Sequence, residues 1–162
     1  MWVEKYPEAM KVISANPLFE LGSHSYAHKA YANPCYSLEP IQEEEKIKDI
    51  GASQFLIEQY TKKRVLLFRF PGGCFGPGDL GLLKLAGTKV IAWDVVADDG
   101  FNADEKAIIQ RVVSRTKKGS IIVMHMNGYP NEPVDYLAVP KIINELRSRG
   151  FEFVTVSNLL NF

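Results

Sequence analysis

A chain of 162 residues, 46% hydrophobic and 23% charged, has one domain's length and an ordinary globular composition. Its 19 basic and 19 acidic residues cancel, which excludes the broad basic field that nucleic-acid binding requires. No stretch approaches an apolar membrane span, and the first residues lack the basic-then-apolar pattern of a signal peptide.

Taken in chain order, the hydrophobic periodicity alternates between helix and strand. Val3, Tyr6, Met10 and Ile13 recur at spacings of three and four, which predicts one amphipathic helix. Phe19–Gly22 reads as a short strand that ends just before His24. Residues 38–61 read as a long helix with Ile41, Ile47, Ile50 and Leu56 turned inward and Glu43–Glu45 outward. Val65–Phe68 is a continuous apolar run of the kind found in buried parallel strands, and it leads into Arg69. Leu80–Leu85 suggests a short helix and Lys89–Trp93 a further strand. Asn102 is placed to cap a helix, with Glu105 three residues on as its reciprocal partner, running through Val113 and stopping at Gly119. Ile121–Met124 is another buried strand. Val139–Leu146 reads as a helix closed by Gly150, and Phe151–Val154 as a last strand. Five strands alternating with helices imply an α/β fold with a parallel sheet and outer helices.

The polar candidates follow strand ends, where such folds carry their chemistry. His24 and His28 sit four residues apart, a spacing that lets two imidazoles reach one divalent ion. Arg69 stands at the mouth of the core, either as a strand-end cation or as the partner of a carboxylate. The turn Pro71–Gly73 offers backbone N–H groups to a developing oxyanion. Asp94, Asp98 and Asp99 form a loop cluster that is either solvated or includes one carboxylate orienting a histidine. His125, the third and last histidine, closes a buried strand. Cys35 and Cys74 have neither metal nor redox spacing; they are read as free thiols, with a bridge as the alternative.

Together these pieces resemble the polysaccharide deacetylases with NodB homology, carbohydrate esterase family four. The family's H-[ST]-x-x-H appears as His24-Ser25-Tyr26-Ala27-His28, its R-x-P-Y-G as Arg69-Phe70-Pro71-Gly72-Gly73, its W-x-x-D-x-x-D-W in degraded form as Trp93–Gly100, and its L-x-H as Val123-Met124-His125. Trp2–Glu8 looks like the helix that precedes the histidine motif. The resemblance implies a distorted (β/α) barrel of the NodB type, reduced at its N-terminus to about five parallel strands, with residues 1–162 forming one such domain. It implies a hydrolase removing N-acetyl groups from a chitin- or peptidoglycan-like polymer. His24 and His28 would be metal ligands, with zinc the expected ion. His125 would be the general acid, tuned by Asp99, and Arg69 would hold the base. Gly72 would supply the oxyanion N–H, and Trp93 and Val123 would line the acetyl site, with Phe101 as an alternative to Trp93. A cell-envelope or secreted location follows from the family's usual role.

Three departures shape the expectation. The family's T-F-D-D motif, which supplies a metal ligand and the base, is absent from these residues. Val96 stands where one aspartate of the fourth motif belongs and Gly100 where its tryptophan belongs. Gly72 replaces the tyrosine of the arginine motif. The missing aspartates predict loss of nearly all metal-assisted turnover by these residues alone, and an open sheet edge predicts dimerisation, element swapping or marginal stability. The alternatives are a non-catalytic sugar- or metal-binding relative, or a different metal hydrolase that recruits Asp98 and Asp99 as ligands.

Overall fold

The computed structural model describes residues 2–126 and 134–161. The chain divides into two compact units, Met1–Ala92 and Trp93–Phe162. No helix among the described residues is long and apolar enough to cross a membrane.

The first unit opens with α1 (Trp2–Lys5) and α2 (Pro7–Ala15) in place of the single helix expected there. The break is at Pro7, which has no N–H to donate back along a helix and sits instead at the first position of α2. A long irregular segment then carries the histidine motif to a 3₁₀ turn at Glu43–Glu45 and to α3 (Lys46–Thr61), so the predicted helix over 38–61 starts eight residues late. Pro40 lies in an extended bridge to Ala30, which keeps this stretch out of the helix. The unit closes with β1 (Leu67–Phe68), a turn at Pro71–Gly73, α4 (Pro77–Leu85) and β2 (Lys89–Val90).

β1 and β2 pair in parallel, Leu67 with Lys89 and Phe68 with Val90. Ser23 forms a parallel bridge to Phe68 on the other side of β1. The expected strand at Phe19–Gly22 is therefore a single bridging residue, one position later. The core beneath comprises Tyr31, Ile41, Ile50, Phe68, Phe70 and Leu83, with a second cluster of Val3, Met10, Ile57 and Val65.

The phase of α3 differs from the expected one. Its buried face is Lys46, Asp49, Ile50, Ser53 and Ile57, while Ile47 is exposed. The polar members face inward because each has a fixed partner. Lys46 Nζ lies 2.7 Å from both Glu43 and Asp79, and Asp79 also accepts the Gly76 N–H that opens α4. The Ser53 hydroxyl shares a short hydrogen bond with Ser23.

The second unit contains β3 (Val95–Val96), α5 (Glu105–Arg115), β4 (Ile122–Val123), α6 (Asp135–Ser148) and α7 (Val156–Leu160). β3 and β4 pair in parallel, and α5 and α6 pack on them through Val95, Ala97, Ile108, Val112, Ala138, Ile142 and Leu146. Asp104, not Asn102, caps α5, its carboxylate accepting the Lys106 and Ala107 N–H groups; Asn102 instead receives the Asp104 N–H. The helix ends at Arg115 because Thr116 is extended, four residues before Gly119. The expected strand at Phe151–Val154 does not form. Those residues lack a ladder partner among the described residues, Phe153 and Val154 are exposed, and Thr155 caps α7. The fold is α/β, but its described strands are four short ones in two parallel pairs, with no closed barrel.

Candidate functional site

Each unit brings one pair of the expected residues together at the C-terminal ends of its parallel strands. In the first unit, Ser23 accepts the Arg69 N–H and donates its own N–H to Leu67, which sets the histidine motif beside the arginine motif. His24 Nδ1 lies 2.6 Å from the Arg69 carbonyl oxygen. A carbonyl only accepts, so Nδ1 carries the proton and Nε2 carries the lone pair. His28 follows one turn later, its ring centroid 5.1 Å from that of His24 and nearly edge-on at 72°.

The loop that presents both rings is locally strained: Ser25 and His28 have φ of 69° and 56°. It is held by hydrogen bonds that periodicity did not reveal. Ser25 Oγ accepts the His28 N–H at 2.8 Å. Asp49 of α3 accepts the Tyr26 and Ala27 N–H groups at 3.1 and 2.7 Å and the Tyr31 hydroxyl at 2.8 Å. Burial, with the Asp49 hydrogen bond, pushes the Tyr31 phenol far up, so it stays a donor. Asp49 sits in a helix read with Ile47, Ile50 and Leu56 inward, a phase that passes it over; the signal that could have found it is its place on the Ile50–Ile57 face.

The arginine turn is held from the other side. Cys35 and Cys74 are joined in a disulfide, so the expectation of free thiols is corrected. The bridge fastens the segment after His28 to the turn after Arg69. It also accounts for Gly72: φ there is +62°, and a Cβ would lie 2.5 Å from Cys35 Sγ. The Gly73 and Cys74 N–H groups bond the Phe70 and Pro71 carbonyls, which leaves Gly72 as the turn's candidate oxyanion donor.

In the second unit the aspartate cluster resolves into three separate duties. Asp94 accepts from Ile121 N at 2.8 Å and Ser120 Oγ at 2.9 Å, pinning the start of β4. Asp98 pairs with Arg111 of α5 at 3.2 Å. Asp99 is fully buried, accepts the His125 N–H in a short hydrogen bond, and lies 3.1 Å from His125 Nδ1. Burial opposes ionisation of Asp99, but the His125 ring and backbone contacts outweigh it and hold the carboxyl below its usual range. Asp98 and Asp99 are thus committed to other partners, against the expectation that they might serve as substitute metal ligands. Gly100 abuts the His125 ring, where a Cβ would stand 3.2 Å from Cε1, so any side chain at the tryptophan position of the motif crowds that imidazole. Val123 is buried in β4, Trp93 is half-buried and Phe101 is exposed.

His24 and His28 present two neighbouring imidazoles, a donor type that suits a divalent metal. Among the described residues no group of three or more His, Cys, Asp or Glu side chains completes one.

The model of the polysaccharide deacetylase family matches residues 1–91, more than half of the chain. A peptidoglycan-N-acetylglucosamine deacetylase of Bacillus cereus is 32% identical over 146 residues, covering 88% of this chain and 64% of that protein. The peptidoglycan-N-acetylmuramic acid deacetylase PdaC of Bacillus subtilis is 29% identical, covering 97% of this chain and 30% of that protein. A solved carbohydrate esterase family four pseudoenzyme from Bacillus anthracis superposes with a TM-score of 0.83 at 23% identity, over 98% of this chain and 52% of that one. The chain therefore spans only part of the length of these relatives. With the histidine and arginine motifs joined at Ser23 and the family's model matched over that same unit, this chain belongs to the polysaccharide deacetylase family.

Proposed function

We propose that this chain is the deacetylase domain, over residues 1–162, of a metal-dependent hydrolase that removes N-acetyl groups from an amino-sugar polymer of the peptidoglycan or chitin type. The observation that carries the reading is the imidazole pair, with rings 5.1 Å apart and His24 Nδ1 committed to a main-chain carbonyl, as a ligand histidine requires. Members of the family are generally metal-dependent, and two imidazoles suit zinc.

His24 and His28 would hold the ion. When bound, it supplies a polarised water and a Lewis acid for the amide carbonyl. Apart from the base, which the T-F-D-D motif supplies in the family, the remaining roles fall to residues of this chain. The Gly72 N–H donates to the oxygen that gains charge as water adds to the carbonyl carbon. His125 gives a proton to the amine nitrogen as the C–N bond breaks, releasing acetate and the free amino sugar. Asp99 holds the imidazolium that precedes this transfer. Arg69 would hold the base, for which these residues carry no counterpart of the family's T-F-D-D aspartate, and Trp93 and Val123 would contribute apolar surface to the acetyl group. A disulfide persists in oxidising surroundings, which together with peptidoglycan-directed relatives supports action in the cell envelope or outside the cell.

A second reading, a sugar- or metal-binding relative without turnover, draws support from the absence of a three-ligand cluster among the described residues. One assay separates the two: incubation with N-acetylated chito-oligosaccharides and muropeptides plus added zinc or cobalt. Acetate release that stops on chelation supports the hydrolase. Glycan binding without acetate overturns it in favour of the binder.

A further inference from the structure

Each half of the disulfide is followed by an exposed aromatic residue, Tyr36 after Cys35 and Phe75 after Cys74. The bridge, with its Cα atoms 5.9 Å apart, therefore brings both residues to the Gly72 turn. A Cβ at Gly72 would lie 3.2 Å from Tyr36 Cδ2, so the space beside the turn is already taken by the Tyr36 ring and the disulfide sulfurs. The Phe75 ring stacks on Phe70, the residue that opens the turn, at 4.7 Å and 20°. Phe70 is buried and covers one face of Phe75, so the exposed surface of Phe75 lies on its other face and edges. Tyr36 is 73% exposed.

Packing does not explain the tyrosine. Its φ is 50°, a left-handed conformation that bulky residues rarely adopt. It stands just after Cys35 in a turn closed by the Leu38 N–H on the Cys35 carbonyl at 3.1 Å. The loop is closed at its base by the Ala30 N–H on Glu39 and the Ile41 N–H on Ala30. Glycine or asparagine would occupy that position with less strain, and little burial offsets the strain of a tyrosine. A strained, exposed ring beside a candidate reaction site points to a ligand. Tyrosine suits that use, because it offers a broad contact surface with two torsions to fix, and the cross-linked loop is ordered in advance.

We propose that Tyr36 and Phe75 form an aromatic platform that stacks one pyranose ring of an N-acetylated amino-sugar polymer, next to the ring whose acetamide faces the Gly72 N–H. A hexosamine ring carries C–H groups on its faces and polar groups around its rim. A flat aromatic surface in water fits such a face, and matches a neutral sugar rather than an anion. The occupant follows from continuity with the turn: the platform adjoins the N–H assigned to the reacting carbonyl, and a polymer runs on past its reacting residue. The position of the reacting ring rests on the hydrolase reading above; the stacking does not.

The test is calorimetry with N-acetylchitotetraose as the probe and a chelator present, so that binding is read without turnover. Tyr36→Asn removes the ring but suits the left-handed backbone, so it should weaken binding by about tenfold or more while the melting temperature holds or rises. Tyr36→Phe keeps the stacking face and should bind within about threefold of the unsubstituted chain. Phe75→Ala should also weaken binding. Unchanged affinity in Tyr36→Asn overturns the proposal, as does a lower melting temperature with affinity intact, the mark of a structural tyrosine. A loss in Tyr36→Phe equal to that in Tyr36→Asn assigns the contact to the hydroxyl and overturns stacking. Absence of binding to the unsubstituted chain overturns it as well. Dimers that Tyr36→Asn dissolves, with tetraose affinity unchanged, would give the rings to a second copy of the chain instead. Tyr36-dependent binding with no acetate released once zinc is restored refutes the hydrolase reading and leaves the platform standing. Acetate release with Tyr36-independent binding does the reverse.

Discussion

The Arg69 carbonyl oxygen, 2.6 Å from His24 Nδ1, fixes which nitrogen of that histidine keeps its lone pair. The contact is made by main chain, so the arginine motif orients the histidine motif whatever its side chain does. The parallel bridge between Ser23 and Phe68 sets this alignment, and a one-residue slip would move His24 to the other face of the strand.

That separation of main-chain and side-chain duties predicts different outcomes for neighbouring substitutions. His24→Gln and His28→Gln each lower zinc affinity by about tenfold or more, measured by calorimetry with zinc alone. Arg69→Ala leaves zinc affinity within about threefold, because the carbonyl remains, while acetate release falls. Equal loss of zinc binding in all three variants would contradict the assignment.

Asp49 is predicted to decide whether the ligand loop is ordered. Asp49→Ala strips the acceptor from two N–H groups and the buried Tyr31 hydroxyl. Hydrogen bonds to a charged acceptor contribute about 1.5–3 kcal/mol each and are not additive, so a loss of about 2–4 kcal/mol is expected in urea unfolding. Amide exchange should rise first at Tyr26 and Ala27. A stability change below about 1 kcal/mol would show that the loop holds itself.

The disulfide and Gly72 are predicted to be energetically coupled. The bridge spans 39 residues, for which the chain-entropy account gives about 4 kcal/mol of stabilisation, lost in Cys35→Ala/Cys74→Ala. In the oxidised chain, Gly72→Ala meets both a left-handed backbone and Cys35 Sγ at 2.5 Å. Without the sulfurs only the backbone penalty of about 1–2 kcal/mol remains. A double-mutant cycle should therefore show coupling of at least about 1 kcal/mol, and strict additivity would separate the glycine from the bridge.

Legibility followed the reach of each interaction along the chain. His24, Arg69 and His125 were readable because a strand's end is a local signal, whereas Asp99 stood in a loop cluster and was singled out only through the family resemblance. Asp49, Ser53 and Lys46 were not, because a polar residue on a helix has the same local pattern whether it faces water or a buried partner. The Cys35–Cys74 bridge closes a distance that carries no spacing signature. Pro7 did announce the break between α1 and α2, but the periodicity of Val3, Met10 and Ile13 runs straight through it. Phe151–Val154 has strand composition without an edge to pair with, and composition alone cannot supply the partner.

The two carboxylates beside His125 act on stability in opposite directions with pH. Asp99 is held below its ordinary value, so its contribution is present above about pH 4 and is lost as pH falls through the lowered value. Asp135 is held above its ordinary value, so the folded state is favoured while it is protonated and loses that advantage as pH rises through the raised value. Asp135→Asn should therefore raise the melting temperature most once pH has passed that raised value, with the gain vanishing toward pH 4. A gain independent of pH would assign the effect to packing.

Asp99→Asn is the substitution that divides a structural carboxylate from one that serves the acid. The side chain keeps one oxygen for the His125 N–H, so the β4 end stays anchored, but it turns an NH₂ toward Nδ1 where a carboxylate oxygen stood. Nδ1 must then accept, which moves the neutral ring's proton to Nε2 and withdraws the charge that stabilises the imidazolium. General-acid assistance of this kind contributes about 10²–10⁴-fold, so kcat should fall within that range with KM nearly unchanged. Ring nitrogen shifts should report the tautomer change in the variant without substrate or metal. A fall in kcat with the tautomer unchanged would place the loss elsewhere. A changed tautomer with kcat intact would remove His125 from the proton transfer.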